Sequence, residues 1–417
     1  MSKNKAILII TVAVVLVLAA LAVFYFFFRG QRPATPSDIV YPVGADIPMG
    51  QGGASTTTGV GGGGLGSGGV GGGGGYVNQP QTFEQKLRLI SSLPVAGATL
   101  FDKNAQTFIR YVERAEGHVY EALASDNKPP YRISNTTIPK IYEAYWVQNG
   151  QGVILRYLKG TDIQTFYAAL KQGTTTGEQA LSDGTFLPNN ISTLVVSPAQ
   201  DKVFYLLPRE GGVVGVRSNP NGTQKTQLFS SFATEWLTSW QKDRSISLFT
   251  KPSSEASGFL YTLNTNNSAL ERVLGGIRGL TALSSPGGDL ILLSRVAGDG
   301  LTLTLFDSKT QTYSAVGKNT LPEKCVWSKT DSVVLYCAVP DYLPSGNYPD
   351  VWYQGIVSFA DNLWKINTET GATNRILAPQ SVANTTMDIT NLVLSAKEDY
   401  LLFANKKDLS LWLLKLE

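Results

Sequence analysis

The chain contains one histidine, His118, and that count removes metal sites built on several imidazoles. It leaves one candidate for a histidine-dependent nucleophilic triad. No Gly-x-Ser-x-Gly elbow accompanies it, so His118 is read as an ordinary residue in the third strand of the first repeat described below. Glu113, Glu116, Glu121 and Glu143 lie among Arg110, Arg114 and Arg132. Grouped around a channel, two of these carboxylates could act as the acid and base of a glycosidase-like site. The simpler reading of interleaved charges on sheet edges is solvated ion pairs. There is no Asp-rich calcium loop, and the residues call for neither a metal nor a cofactor.

Two further groups could matter. Cys325 and Cys337 are the only cysteines. On two strands joined by a turn centred on Asp331 they would lie opposite each other, and shifted by one residue they would face apart. A disulfide and a pair of buried thiols therefore both stand open. The stretch Pro340–Ala360, PDYLPSGNYPDVWYQGIVSFA, concentrates Tyr342, Tyr348, Trp352, Tyr353 and Phe359 with three prolines. Aromatic-rich surface loops form partner contacts, and the same composition would serve a local lid packed on its own repeat.

The elements that must position these residues recur along the C-terminal four-fifths of the chain. In Gly279–Gly317 the apolar runs Leu280–Leu283, Leu290–Val296, Leu301–Phe306 and Thr312–Val316 are separated by Ser-Pro-Gly-Gly, Gly298-Asp299-Gly300 and Asp307-Ser308. Short β-branched and apolar runs punctuated by turns make a four-stranded meander. The first turn repeats with markers at Asn104, Asn149, Gln200, Lys242, Gly287, Thr330 and Lys397, spaced 45, 51, 42, 45, 43 and 67 residues apart. That defines seven units, the sixth carrying the aromatic stretch as an insertion between its second and third strands. A single such sheet cannot bury both faces, so repeated sheets must stack on one another. The last unit, Leu392–Ser395, Tyr400–Ala404 and Leu409–Leu416, has three strands. Lys86–Ser91 resembles the fourth strands Arg272-Val273-Leu274 and Arg375-Ile376-Leu377, and as the missing strand it would leave no long edge unpaired.

Ser-Pro-x-x-Asp followed by an apolar run, at Ser197-Pro198 to Asp201 and Ser285-Pro286 to Asp289, resembles the repeats of TolB-like β-propellers, distant cousins of the WD-repeat proteins. The resemblance covers roughly residues 85–417. It implies a propeller and carries no catalytic residue with it, and the Trp-Asp and Gly-His signatures of WD repeats are absent.

Ahead of the repeats, Ala6–Phe28 is 23 residues without a charge, sixteen of them Leu, Ile, Val or Phe. As a helix it would span about 35 Å, enough for a hydrocarbon core. Its length exceeds the apolar region of a cleaved signal peptide. Lys3 and Lys5 precede it and Arg29 and Arg32 follow, while Pro33–Gln85 has no Lys or Arg, as expected for a segment that is translocated. Sixteen of the 42 glycines fall between Gly50 and Gly75, which makes a flexible tether with a reach of roughly 40 Å.

The expected organisation is a short cytoplasmic N-terminus (1–5), a transmembrane helix (6–28), a Pro/Gly-rich linker (29–82) and an all-β, seven-bladed propeller of four-stranded antiparallel blades (83–417), the last blade closed by 86–91. With 35 basic against 32 acidic side chains and no clustering, nothing calls for nucleic acid. The expected function is a protein-binding or scaffold module of the cell envelope, anchored in the plasma (inner) membrane through Ala6–Phe28 with the propeller outside. The alternative is an envelope hydrolase acting on glycans or peptides at the channel mouth.

Overall fold

The structure, a computed structural model, describes residues 86–172 and 179–416. The apolar segment Ala6–Phe28 and the glycine tract lie outside the described residues. Among the described residues no helix is long and apolar enough to cross a membrane.

The described strands form seven four-stranded antiparallel sheets. Their first strands are Val95–Lys103, Ile141–Val147, Thr193–Val196, Trp236–Lys242, Thr281–Ser284, Cys325–Trp327 and Ile389–Leu394. These lie side by side in chain order and the seventh neighbours the first, which closes a ring. Alternation along each strand explains the stacking. In blade five, Leu292, Leu303 and Leu305 enter a core shared with blade six, whereas Ile291, Leu293 and Phe306 enter one shared with blade four. Seven such cores separate the seven blades.

The recurring first turn has a physical cause. The hydroxyl of Ser197 accepts hydrogen bonds from the N–H groups of Asp201 (3.2 Å) and Lys202 (3.0 Å), while the Ser197 N–H donates to the Lys202 carbonyl. Ser285 and Ser395 cap Leu290 (3.2 Å) and Tyr400 (3.0 Å) in the same way. A turn that holds its backbone groups by one serine side chain demands Ser at that position.

Blade seven takes its fourth strand, Leu87–Ser91, from the N-terminal side of blade one. Leu87 pairs with Leu414 and Ser91 with Leu411. Leu87 is buried in the core between blades six and seven, and Ile90 in that between seven and one. Strand directions alternate, so the inter-blade connections and the loops between second and third strands emerge at one end of the ring, here called the loop end. The turns joining first to second and third to fourth strands lie at the other, the turn end. The chain enters its closing strand at the turn end.

In blade six Cys325 and Cys337 are directly opposed on the first two strands and form a disulfide. His118 is not in a strand: it is the residue before the third strand of blade one, Val119–Leu123. The fourth strand of blade one is only Tyr131–Arg132, because Pro129 and Pro130 have no N–H to donate to a ladder.

Removing residues 1–91 strips two buried apolar side chains, Leu87 and Ile90, and the pairing of an edge. A chain starting at Ser92 should lose about 5 kcal/mol of stability or aggregate through the third strand of blade seven, while one starting at Gln79 should unfold like the full propeller. Urea denaturation of the two compares them directly, and equal midpoints would show that the ring does not depend on the closing strand.

Candidate functional site

The insertion between the second and third strands of blade six, Val334–Pro340 and Asp361–Asn367, folds back over the loop end. It contains one short helix, α1, Asp350–Tyr353. Its outer anchors reach blades four and five: the Ser254 N–H donates to the Asp350 carboxylate (2.6 Å) and the Gly346 N–H to the Asp299 carbonyl (2.7 Å). Beneath it, Tyr348, Trp352 and Phe359 join Leu301 and Leu321 in an eighth core.

Of the two readings of these five aromatics, partner contact and a local lid, the burial of three of them fits the lid. Tyr348, Trp352 and Phe359 are 1%, 5% and 1% exposed, and Tyr353 is partly buried. Only Tyr342, at 73%, points to solvent. A loop of this length on a ring of short turns needs a core of its own, and its large aromatics supply it. The insertion is a lid.

Below the lid lies a group of charges without access to water. Lys324, from the turn before the first strand of blade six, places Nζ 2.7 Å from Oδ2 of Asp361 and 2.5 Å from Oδ1 of Asp388, and all three side chains are fully buried. Lys324 also donates to the Ile389 carbonyl (2.9 Å). Asp388 accepts from the Trp352 indole (3.2 and 3.1 Å), the Ser358 hydroxyl (3.2 Å) and the Phe359 N–H (3.1 Å), which fastens the lid to blade seven. Asp361 accepts from the Ile389 N–H (2.7 Å) through Oδ2, and its buried Oδ1 has no hydrogen-bond partner. Burial pushes the Asp361 carboxyl up to about 6 against the pull of Lys324, and Asp388 adds to the rise. Lys406 donates to the Trp352 carbonyl (2.5 Å) and sits 4.3 Å from the centre of that ring; burial lowers its pKa.

A second contact holds the inner edge of the lid. The Tyr353 hydroxyl donates to Glu323 Oε1, and Thr281 donates to Oε2 (3.0 Å). Glu323 keeps some exposed surface as a residue, but its carboxylate is enclosed between these partners, and desolvation raises its pKa. Tyr353 is held well above the ordinary phenol value by burial and by the adjacent carboxylate.

The charges of blades one and two lie elsewhere, and at Arg110 and Glu121 they are a buried pair rather than a solvated one. Arg110 and Glu121 meet at 2.6 Å with both side chains at most 5% exposed, and Arg110 donates onward to the Gly150 carbonyl (2.7 Å). Arg156, also buried, meets Glu143 at 2.5 Å. Glu113 caps the N–H groups of Ala115 and Glu116. His118 lies 2.9 Å from Glu116 and 3.2 Å from Thr137. Of these contacts, the one from Arg110 to Gly150 joins blade one to blade two, and the others hold each blade or its own loops. Among the described residues no three His, Cys, Asp or Glu side chains are placed to hold a metal ion.

Two expectations follow for the lid. Trp352→Ala should cost about 3–5 kcal/mol in urea denaturation, whereas Tyr342→Ser should stay within about 0.5 kcal/mol; similar values for both would place Trp352 outside the core. Glu323→Gln keeps an acceptor for Tyr353 and removes a buried charge. A carboxyl raised by folding contributes stability below its unfolded pKa that is lost as pH rises through its folded value. The variant should therefore melt at or above wild type at pH 8, with its advantage shrinking towards pH 5. A disadvantage that grows with pH would show that the carboxylate is stabilised where it sits.

No protein-family model matches the chain, and no curated protein matches it. Among solved structures, an oligogalacturonate lyase in complex with manganese is similar at 10% identity over 78% of this chain and 97% of its own, with a TM-score of 0.48. TolB from Acinetobacter baumannii is similar at 12% identity over 76% of this chain and 65% of its own, with a TM-score of 0.41. The β-propeller domain of the trilobed protease from Pyrococcus furiosus is similar at 12% identity over 77% and 96%, with a TM-score of 0.48. By its own sheet topology the chain is a seven-bladed β-propeller, and TolB and a protease propeller domain are among its structural neighbours.

Proposed function

We propose that this chain is a membrane-anchored, extracytoplasmic propeller that serves as a protein-binding or scaffold module of the cell envelope, with the loop end as its contact face. The observation that carries the reading is the distribution of exposed large apolar side chains. Leu93, Leu158, Phe232, Tyr342, Ile356 and Val382 all project from inter-blade connections, from the lid or from the end of a second strand, with Phe232 at 95% exposure. The seven turns between first and second strands carry none. Leu270 and Tyr313, at the start of fourth strands, are exposed at the turn end, so the bias is towards the loop end rather than confined to it, and such a bias suits partner contact.

The described chain starts at the turn end with the closing strand, so a tether ahead of it would leave the loop end facing away from its attachment. A hydrolase would need carboxylates open to substrate at the channel mouth. There, Glu323, Asp361 and Asp388 are committed to Tyr353, Lys324, Trp352 and Ile389, which favours the binding reading over the enzyme.

Two measurements test this. Protease added to intact cells or spheroplasts should release a soluble propeller cut within the glycine tract; protection until lysis would overturn the external placement. Combined Tyr342→Ser, Ile356→Ser and Val382→Ser should leave the melting transition unchanged and remove proteins that co-purify with the membrane-extracted chain. Unchanged recovery would move the contact face elsewhere.

A further inference from the structure

Lys324, Asp361 and Asp388 form an arrangement with more chemistry than a buried salt bridge requires. We propose that Lys324 and Asp361 condense spontaneously into an amide, an intramolecular isopeptide bond, with Asp388 as the proton acceptor. The inference concerns a modification of the lid and is independent of the partner reading above.

The geometry meets the needs of the reaction in turn. The amine and the carboxyl are already in contact, Nζ to Oδ2 at 2.7 Å, which replaces a bimolecular encounter by a fixed approach. Water is excluded: the three side chains are fully buried, and Nζ lies 5.3 Å and 5.1 Å from the centres of the Trp352 and Phe359 rings. In such surroundings burial favours the neutral form of the Asp361 carboxyl. The base is in place, since Asp388 Oδ1 is 2.5 Å from Nζ. The Ile389 N–H, 2.7 Å from Asp361 Oδ2, stands where negative charge develops in acyl transfer.

The two carboxyls are not interchangeable. Asp388 holds the indole of Trp352, the hydroxyl of Ser358 and the N–H of Phe359, and converting it to an amide would weaken a buried set of donors. Asp361 holds the Ile389 N–H through Oδ2, an acceptor that an amide carbonyl retains, while its Oδ1 is buried without a partner. Loss of that oxygen removes a desolvation cost that the ion pair leaves standing. Asp361 is also the carboxyl that burial shifts towards its protonated, electrophilic form.

The balance is as follows. Asp388 takes one proton from the Lys324 ammonium. The freed lone pair attacks Cγ of protonated Asp361, and the carbonyl electrons move onto Oδ2, beside the Ile389 N–H. A second proton passes from nitrogen to the Oδ1 hydroxyl, which leaves as water, and the carbonyl re-forms. The products are one secondary amide, one water and a protonated Asp388, with no oxidant, metal or cofactor consumed. The closed loop runs from Lys324 to Asp361 and encloses the disulfide and the whole lid, so the insertion would be locked to its blade covalently at both ends.

The test reads peptides from the purified full-length chain. Protease digestion and tandem mass spectrometry should recover a branched peptide joining Lys324 to Asp361, one water lighter than the sum of its two arms, in place of the two linear peptides. Asp361→Asn should give the same branch with ammonia lost instead of water. Lys324→Arg and Asp388→Asn should abolish it. Linear, unmodified Lys324 and Asp361 peptides from the wild-type chain would overturn the proposal whether or not any variant folds. A branch to Asp388, or a branch that persists in Asp388→Asn, would overturn the assigned roles.

Discussion

A four-stranded antiparallel sheet with two apolar faces cannot stand alone, and the rest of the structure follows from that constraint. Every blade sends alternate side chains into the cores on its two sides, so each blade is stable only between two others, and a row of them is satisfied only when it closes. The closure is tight enough to shape the inner strands. At Gly97 on the first strand of blade one, a Cβ would stand 2.1 Å from the Ala144 carbonyl on the first strand of blade two, so only glycine permits the approach. The last gap is filled by Leu87–Ser91, whose Leu87 and Ile90 complete the cores on either side of blade seven. The first and last strands of the domain thus share one sheet.

That constraint is why so much of the fold can be read from the chain. Apolar runs with turn residues between them mark strands whatever the tertiary context: in blade five the expected Leu290–Val296 and Leu301–Phe306 appear as Leu290–Ala297 and Gly300–Asp307. The likeness of Lys86–Ser91 to other fourth strands was legible because an outer strand has one pattern wherever its chain position. The serine caps were legible as a motif before their hydrogen bonds gave the reason. Blade one departs from the pattern where Pro129-Pro130 interrupts pairing, and His118 where a turn runs one residue longer than the spacing suggested.

The lid was legible as an insertion and illegible as a core. Five aromatics in twenty-one residues fit a contact surface or a buried cluster equally, since composition does not say which side of a loop faces the ring. The deciding partner lay far away in sequence: Asp388, beyond the next blade boundary, receives the Trp352 indole. Lys324 and Asp361 give no signal in the sequence for a similar reason. Each is a single charge at the margin of an apolar run, a position that ordinarily means a strand end near solvent. Only the stacking of blade six on blade seven buries them together. Asp388 between Met387 and Ile389 was the one local hint, a lone charge flanked by residues that are fully buried.

The two ends of the ring divide the work differently. At the turn end neighbouring blades are stitched by short contacts: Gln200 accepts from the Gln148 and Asn149 N–H groups, and Glu398 from those of Lys329 and Thr330. Such turns leave little room for insertions, and the chain enters the ring beside them. At the loop end the connections vary in length without disturbing any ladder, and the one long insertion there has acquired its own core and its own buried charges. An insertion carried only by its two strand ends would fray, because loops open locally at small cost in free energy. The contacts of Asp388 with Trp352, Phe359 and Ser358 tie the middle of the lid to the next blade, so opening it would require exposing the Lys324 cluster. The lid therefore moves with the ring, and its outer face, with Tyr342 and Ile356, is presented on a rigid support.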